Sequence, residues 1–459
     1  MKLEKLFELG CLQLLGMVIL LAATPVGAFD SGSTGADGAF APVSDTSIVL
    51  PPNGILNFTT MNIPNGVTVR ISSNLANTPA YILVQGDAVI DGVIDISGVD
   101  GDSVSGNPAG GYSGGLPQDV SGGNGQGPGA GRGAVNTGDA GNGASYGTIG
   151  TIGNSNTNTI IAPVYGSTSL QPLLGGSGGG ASSNSGTTPG NRGGGGGGSV
   201  LLAVSGTLTL TGSILANGGE GASFISSVSS SQGAGGGSGG GVRLIASTIV
   251  GSGNIDISGG VRGSGFSGRS GGTGGIGRAR LEADVFNFSG SVTPNVATTS
   301  APLPVFASNL PSIRITSVGG ASVPANPIGE NDVILPSSIV NPVTVAFAAT
   351  DVPLGSTVEL TISPISGSST TVVSAGLSGT PASSTDSVQA TLPLGASVLL
   401  ASVSFAVTSQ TASLYEPFTN GEMVARVELR STMGSGSSSI RLTTKSGRII
   451  DIPSMQTKL

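Results

Sequence analysis

The stretch PGNRGGGGGGSVLLAVSGTLTLTGSILANGGEG, residues 189–221, places six consecutive glycines directly before two short runs in which apolar and small polar residues alternate. Alternation with a period of two is typical of half-buried β-strands, whereas glycine has the greatest backbone freedom of any residue. Such a junction fits a phosphate-binding loop, a flexible linker or one unit of a stacked repeat. The rest of the sequence favours the repeat.

Similar alternating runs occur at four places. In each, a leucine is followed nine or ten residues later by a glycine, and an aliphatic residue stands two positions beyond that glycine. The four segments are residues 83–98, 202–218, 244–259 and 281–293, with corner glycines Gly92, Gly212, Gly253 and Gly290. We expect two short strands per segment. Units stacked in register would bury a continuous apolar core that no single unit can form.

Counting in twos from each corner glycine separates an inward from an outward set of side chains. The predicted inward set is Ala88, Ile90, Ile94, Ile96, Leu208, Leu210, Ile214, Ala216, Ile249, Gly251, Ile255, Ile257, Phe286, Phe288 and Val292. The predicted outward wall contains Asp87, Val89 and Asp91, then Thr207, Thr209 and Thr211, then Thr248, Val250 and Ser252, then Val285, Asn287 and Ser289. This wall is therefore mainly small and polar.

The connections between the repeats are rich in glycine. Residues 98–280 hold 58 of the 81 glycines in the chain, and the connection after Gly98 is an insertion of about a hundred residues. Dense glycine without a strict collagen triplet is compatible with polyproline-II segments that pack side by side. It is equally compatible with disordered loops, so the sequence leaves the order of these connections open.

The N-terminus has the pattern of a secretory signal peptide, residues 1–28. Lys2 and Lys5 precede an apolar run at residues 12–23, and the small residues Val26 and Ala28 fit cleavage after Ala28. The run is shorter than the ~20 residues that span a bilayer, and we expect no membrane span in the mature chain. The predicted location is secreted or at the cell surface.

Composition excludes several classes of function. The mature chain would hold 15 basic and 23 acidic residues, with only Lys445 and Lys458 as lysines, so no basic surface for nucleic acid is expected. The chain lacks histidine, and its only cysteine lies in the signal peptide, which excludes Ser-His-Asp, Cys-His and His-zinc chemistry. The GSGFSG at residues 263–268 is not followed by a helix, and the hexaglycine lacks the lysine of a phosphate loop, so no nucleotide is expected.

Signal peptide, the NGVTV at residues 65–69, the G-x-I-x-x-S-G units at residues 92–98 and 253–259, and the glycine-rich connections together resemble exported bacterial right-handed parallel β-helix proteins, both pectin-lyase-like and adhesin-like. The resemblance implies an elongated β-solenoid over residues 29–294. It implies no activity, because this fold hosts both enzymes and inert stalks.

The composition changes after residue 294. Residues 295–311 read as a Pro/Ser-rich linker, and residues 312–459 contain regularly spaced alternating runs separated by turn residues. The runs are residues 313–318, 343–349, 358–363, 370–377, 387–392, 398–407, 423–431 and 439–443. This spacing predicts an antiparallel β-sandwich, which resembles immunoglobulin-like or fibronectin-like modules in architecture. The predicted fold class is therefore all-β throughout.

Two groups of residues are candidates for a site. Asp87, Asp91 and Asp95 would face outward, where paired carboxylates suit a pectinase-like acid and base or calcium; the alternative is a solvated wall. Asp100 and Asp102 flank a glycine in what resembles a short calcium loop, so calcium is the one cofactor to consider.

The second group lies in the long insertion. Tyr112, Tyr146 and Tyr165 are candidate contacts for an extracellular glycan or a protein surface, or they hold the insertion in place. The sequence favours a structural or adhesive protein, with a polysaccharide-binding module, or a carboxylate-dependent polysaccharide lyase or hydrolase, as alternatives.

Overall fold

The computed structural model describes residues 29–51, 53–75, 77–103, 105–118, 121–154, 156–183, 190–223, 232–294, 298–306, 310–324, 332–407, 415, 423–433, 438–447 and 449–454. The predicted signal peptide lies outside these ranges. The fold is all-β, and the helical structure within the described ranges is one 3₁₀ turn at Phe266–Gly268. The strands form two parallel and two antiparallel sheets.

Residues 46–300 build the two parallel sheets. The first contains, in spatial order, β1 (Thr46–Val49), β4 (Thr68–Ser72), β7 (Val93–Asp95), β9 (Ser213–Leu215), β11 (Asn254–Asp256) and β13 (Ser291–Thr293). The second contains β14 (Thr298–Ser300), β12 (Arg278–Phe288), β10 (Gly241–Gly251), β8 (Ser199–Leu210), β5 (Ala80–Val84) and β2 (Ile55–Phe58), with β3 (Met61–Ile63) beside β6 (Ala88–Ile90) and β6 beside β8. Successive passes of the chain therefore contribute neighbouring strands to both sheets.

The strand register follows the repeat around its corner glycines. Ala88 pairs with Leu208, Leu208 with Ile249, and Ile249 with Phe286 in the second sheet. In the first sheet Ile94, Ile214, Ile255 and Val292 stand in one row. One apolar core joins these rows and contains the predicted inward residues of the first three units except Gly251, which is half-buried. Phe288 and Val292 of the last unit pack against this core and are partly buried.

Two details of the predicted alignment are wrong. Ile82, not Leu83, pairs with Leu202, because in both units the corner glycine follows this position by ten residues. Phe286 is in the inward row but is 42% exposed. The next strand, β14, pairs with β12 only at residues 280–282, so no strand among the described residues covers Phe286. The inward position is buried only where a further strand covers it.

The described parts of the glycine-rich connections are ordered and hydrogen-bonded to one another. The N–H groups of residues 193–198 donate in three directions in turn. Gly193 and Gly196 donate to residues 115 and 112, Gly194 and Gly197 donate to residues 235 and 238, and Gly195 and Gly198 donate to residues 99 and 96. The direction of the N–H groups thus repeats every three residues, and none of them donates within its own segment. This is the pattern of a polyproline-II helix that is surrounded by its hydrogen-bond partners.

Residues 233–241 repeat this pattern. Every third N–H, starting with that of Gly233, donates to a carbonyl within residues 269–275. The N–H that follows each of these donates to a carbonyl within residues 216–222, and the next one donates to residue 180, 177 or 198. We call the assembly of segments 96–101, 110–115, 175–181, 193–198, 216–222, 233–241, 257–263 and 271–277 the glycine bundle. It continues the parallel sheets, because β7, β9 and β11 lead into it and β8, β10 and β12 lead out of it.

Glycine is required in this bundle by the distance between segments. A Cβ built on Gly196 would overlap the carbonyl oxygen of Gly176, and one on Gly237 would overlap that of Gly195. The obstacles are backbone atoms that already form hydrogen bonds, so they cannot rotate away as a side chain can. At these positions a side chain has no room, because neighbouring backbones pack directly against each other.

The antiparallel sheets enclose a second core. One contains β16 (Ala321–Ser322), β15 (Ser312–Val318), β17 (Val343–Thr350), β21 (Ser383–Ala390) and β20 (Ser378–Thr380), and the other contains β19 (Thr370–Val373), β18 (Val358–Pro364), β22 (Ser397–Ala406), β23 (Val424–Met433), β24 (Ser438–Thr444) and β25 (Ile449–Ser454). Inward residues of both sheets, such as Phe347 and Leu360, share this core. The predicted runs at residues 370–377 and 387–392 are displaced, because β19 ends at Val373 and β21 begins at Ser383.

Candidate functional site

The predicted acidic row faces outward, but its carboxylates have hydrogen-bond partners on neighbouring strands. Asp87 Oδ1 accepts from the N–H of Thr207 at 2.7 Å, and Asp91 accepts from the hydroxyl of Thr211. Each partner lies 120 residues further along the chain, one unit away in the stack. These contacts join adjacent units across the outer wall.

Asp95 has a basic partner that sequence reasoning missed. Its Oδ2 lies 3.0 Å from Nε of Arg70, which is the neighbouring residue on β4. Its Oδ1 accepts from the N–H of Ser97. The only signal in the sequence is that Arg70 directly follows the NGVTV at residues 65–69, and nothing in that run marks Asp95 as its partner.

The calcium candidates Asp100 and Asp102 are both exposed. Asp100 Oδ1 accepts from the N–H of Glu220 at 2.8 Å, which again joins neighbouring units. Among the described residues, no group of three or more acidic side chains is arranged to hold a metal ion. The structure thus does not gather these two residues and the row of Asp87, Asp91 and Asp95 into one site.

Two of the three candidate tyrosines are buried. The rings of Tyr146 and Tyr165 lie 4.6 Å apart between centroids, against Leu201 and Ile245 on the outer face of the second parallel sheet. Tyr146 donates to the carbonyl of Leu174 at 2.8 Å and Tyr165 to that of Gly175 at 2.5 Å. Burial raises the pKa of both phenols above its ordinary value, and the charge of Arg278 opposes this for Tyr146.

These contacts correct the prediction that Tyr146 and Tyr165 are available to a partner. The insertion is an additional layer on the sheet and on the glycine bundle, and the two rings fill the space beneath it. Tyr112 differs, because it is half-buried and its backbone bonds to Gly176 and Gly196 place it within the bundle. The tyrosines hold the insertion in place.

A buried ionic network lies on the same sheet and was not predicted. Arg243 on β10 donates to Glu282 on β12, and Arg280 donates to the same carboxylate at 2.7 Å. Arg243 also donates to the carbonyls of Pro304 and Val305, and the N–H of Leu303 donates to Glu282. Residues 298–305, predicted as part of a linker, are therefore bound to the sheet. The available signal was one arginine in the otherwise uncharged β10 and four charged residues in β12.

A polar pocket opens at the edge of the glycine bundle. Its lining side chains are Asp100, Ser103, Ser105, Asn107, Ser113 and Arg192, and its floor is formed by glycines that include Gly193 and Gly195. The cavity volume is about 160 Å³. Arg192 Nη1 donates to the carbonyl of Ser103 at 3.2 Å, which holds the guanidinium beside the pocket. Carboxylate, amide, hydroxyl and guanidinium groups here present both donors and acceptors within one small space.

Comparison of the chain with models of known protein families finds no match, and comparisons with curated proteins and with solved structures find none either. Among the described residues, no helix is both long enough and apolar enough to cross a membrane. The function is therefore argued from the geometry of this chain.

Proposed function

We propose that this protein is a secreted or cell-surface structural and adhesive protein. In this proposal residues 29–294 form a parallel β-solenoid extended by the glycine bundle, and residues 312–459 form an immunoglobulin-like β-sandwich. The observation that carries the proposal is the continuity between the stack and the bundle. The same in-register passes of the chain build both, so one hydrogen-bonded body extends from the apolar core to the glycine-rich connections.

Such a body suits a rigid scaffold. Repeat units that contact only their neighbours make an elongated structure with large flat faces. On the outer wall, Asp87, Asp91 and Asp100 bond to the adjacent unit, which is the role of a structural side chain. These contacts support a scaffold more directly than a polysaccharide lyase or hydrolase, whose acid and base must reach a substrate.

Export is tested first. The full chain is expressed in a bacterial host, the cells are fractionated, and the first residue of the product is determined by sequencing. We expect an extracellular or surface-bound chain that begins at Phe29. Ala28→Asp should block cleavage, whereas Thr24→Ser should not. An uncut chain that stays in the cytoplasm contradicts the proposed location.

Shape and adhesion are tested on the mature chain. Small-angle scattering should give a radius of gyration clearly above the ~22 Å expected of a compact domain of this length. Beads coated with the mature chain should adhere to glycoprotein-coated or cellular surfaces, while beads coated with heat-unfolded chain should not. A compact particle whose beads do not adhere contradicts the proposal.

A further inference from the structure

The polar pocket lies at a place where the hydrogen-bond pattern of the glycine bundle is incomplete. In segment 110–115, Tyr112 donates to Gly176 and Gly115 donates to Gly179, three residues apart and in one direction. The N–H and the carbonyl of Gly114 have no hydrogen-bond partner among the residues that the structure describes. Gly114 lies on the pocket wall. A backbone donor and a backbone acceptor without partners in the described part of the chain therefore belong to a residue of the pocket wall.

Side chains add further groups around this pair. Asp100 uses Oδ1 for the N–H of Glu220, which leaves Oδ2 without a partner in the described part of the chain. Asn107 Nδ2 donates to the hydroxyl of Ser113 at 2.7 Å, and Asn107 Oδ1 has no hydrogen-bond partner among the described residues. Arg192 uses one of its five N–H groups. Each of the three side chains already has one hydrogen bond that holds it beside the pocket, which reduces the ordering needed on binding.

We propose that this pocket binds one unit of a neutral, hydroxyl-rich sugar. Adjacent hydroxyl groups act as donors and acceptors at short spacing, which matches the carboxylate and amide oxygens beside the guanidinium and the Gly114 backbone. One anionic and one cationic side chain line the pocket, so its charge favours a neutral ligand. A volume of about 160 Å³ is the space of about five waters, which suits a single ring. This inference rests on the proposed function in one respect, which is that a surface location brings the pocket into contact with glycans.

The test uses the mature chain and defined probes. Calorimetric titration or ligand-observed NMR is carried out with D-mannose, D-galactose and N-acetyl-D-glucosamine, and with D-glucuronate and N-acetylneuraminate as anionic probes. We expect binding of at least one neutral sugar and weaker or no binding of the anionic probes. Absence of binding by every neutral probe, or tighter binding of the anions, overturns the proposal.

Variants then locate the site. Asp100→Asn keeps the bond to Glu220 but removes the charge, and we expect affinity to fall roughly tenfold. The matched control Asp102→Asn changes an exposed carboxylate outside the pocket lining and should leave affinity unchanged. Gly106→Tyr should abolish binding, because Gly106 lines the pocket and a Cβ at this position meets no atom within 4 Å, so a large side chain can be placed at the pocket without strain. A sugar that still binds Gly106→Tyr with full affinity is bound elsewhere, which overturns the assignment.

The same variants separate this inference from the proposed function. Export, elongated shape and bead adhesion of Gly106→Tyr report on the scaffold, whereas sugar titration reports on the pocket. Loss of sugar binding with intact shape and export supports the pocket. Correct export and adhesion without any neutral-sugar binding leaves the proposed function standing and rejects the pocket.

Discussion

Arg243 Nε lies 2.8 Å from Glu282 Oε1, and neither side chain has exposed surface. The two residues stand on adjacent strands of the second parallel sheet, on the face opposite the apolar core. Desolvating two charges is costly, and here the cost is offset by their mutual attraction and by further bonds to Arg280, Leu303, Pro304 and Val305. The pair thereby fixes the segment that leads from the parallel to the antiparallel sheets.

Removing one partner of this pair should destabilise the chain severely. We expect Arg243→Met to lower the free energy of unfolding by about 3 kcal/mol, because buried Glu282 loses the two-point contact with Arg243 and keeps only Arg280 and the N–H of Leu303 as partners. The control Arg70→Met breaks the pair with Asp95, in which the arginine side chain is 69% exposed, and should cost less than about 1 kcal/mol. Denaturant unfolding measures both. Equal effects in the two variants contradict a structural role for the buried pair.

The glycine bundle predicts a sharp difference between two glycine substitutions. Gly196→Ala should destabilise by at least about 3 kcal/mol or prevent folding, since the new methyl group overlaps the backbone of Gly176. Gly106→Ala meets open space and should be neutral or stabilising by up to about 1 kcal/mol. Thermal unfolding followed by circular dichroism gives the comparison. A tolerated Gly196→Ala would show that the segments are not in direct backbone contact.

Alkaline pH should destabilise the folded chain through its buried tyrosines. Burial raises the pKa of Tyr81, Tyr146 and Tyr165, so these phenols stay protonated when folded, whereas in the unfolded chain they ionise near pH 10. Above about pH 10 the unfolded state binds fewer protons, and the free energy of unfolding falls by at most about 1.4 kcal/mol per pH unit for each phenol. Below that pH these groups leave stability unchanged.

This dependence is measured by denaturant titrations between neutral and strongly alkaline pH, with tyrosinate absorbance recorded in parallel. The absorbance of the buried phenols should rise only as the chain unfolds. Tyr146→Phe should show a shallower alkaline decline than the unsubstituted chain. An identical decline in both would mean that Tyr146 ionises freely in the folded state.

The outer-wall carboxylates should not cleave polysaccharides. We expect no unsaturated or reducing-end product when the mature chain is incubated with acidic polysaccharides, because Asp87, Asp91 and Asp95 bond to neighbouring residues. Product formation is followed by ultraviolet absorbance and a reducing-sugar assay. Clear turnover that disappears in Asp91→Asn would reject the scaffold in favour of the enzyme.

The sequence contained enough information for the core of the parallel stack. Ile94, Ile214 and Ile255 fall in one row because each stands two residues after a corner glycine, and period-two alternation then fixes which side chains point inward. The prediction fails for Phe286, which has the same pattern but lacks a covering neighbour. The pattern specifies direction, whereas burial requires a further unit.

The candidate site was less predictable. Asp95 and Arg70 are 25 residues apart, and Arg192 and Ser103 are 89 apart. The first contact depends on which strand lies beside β4, and the second depends on where the long insertion returns. Tyr146 and Tyr165 read as exposed loop residues because nothing local marks the sheet face that they cover.

The sequence by itself determined the alternating strands, their corner glycines and the in-register stacking, because side-chain period and repeat length are local properties of the chain. Tertiary structure alone decided that the glycines of residues 193–198 form the centre of an ordered bundle. A glycine segment carries no side-chain pattern, so its order depends on backbone hydrogen bonds to segments brought beside it by the rest of the fold. The same is true of Arg243 and Glu282, whose charges are stable in the interior only because the folded chain places them together.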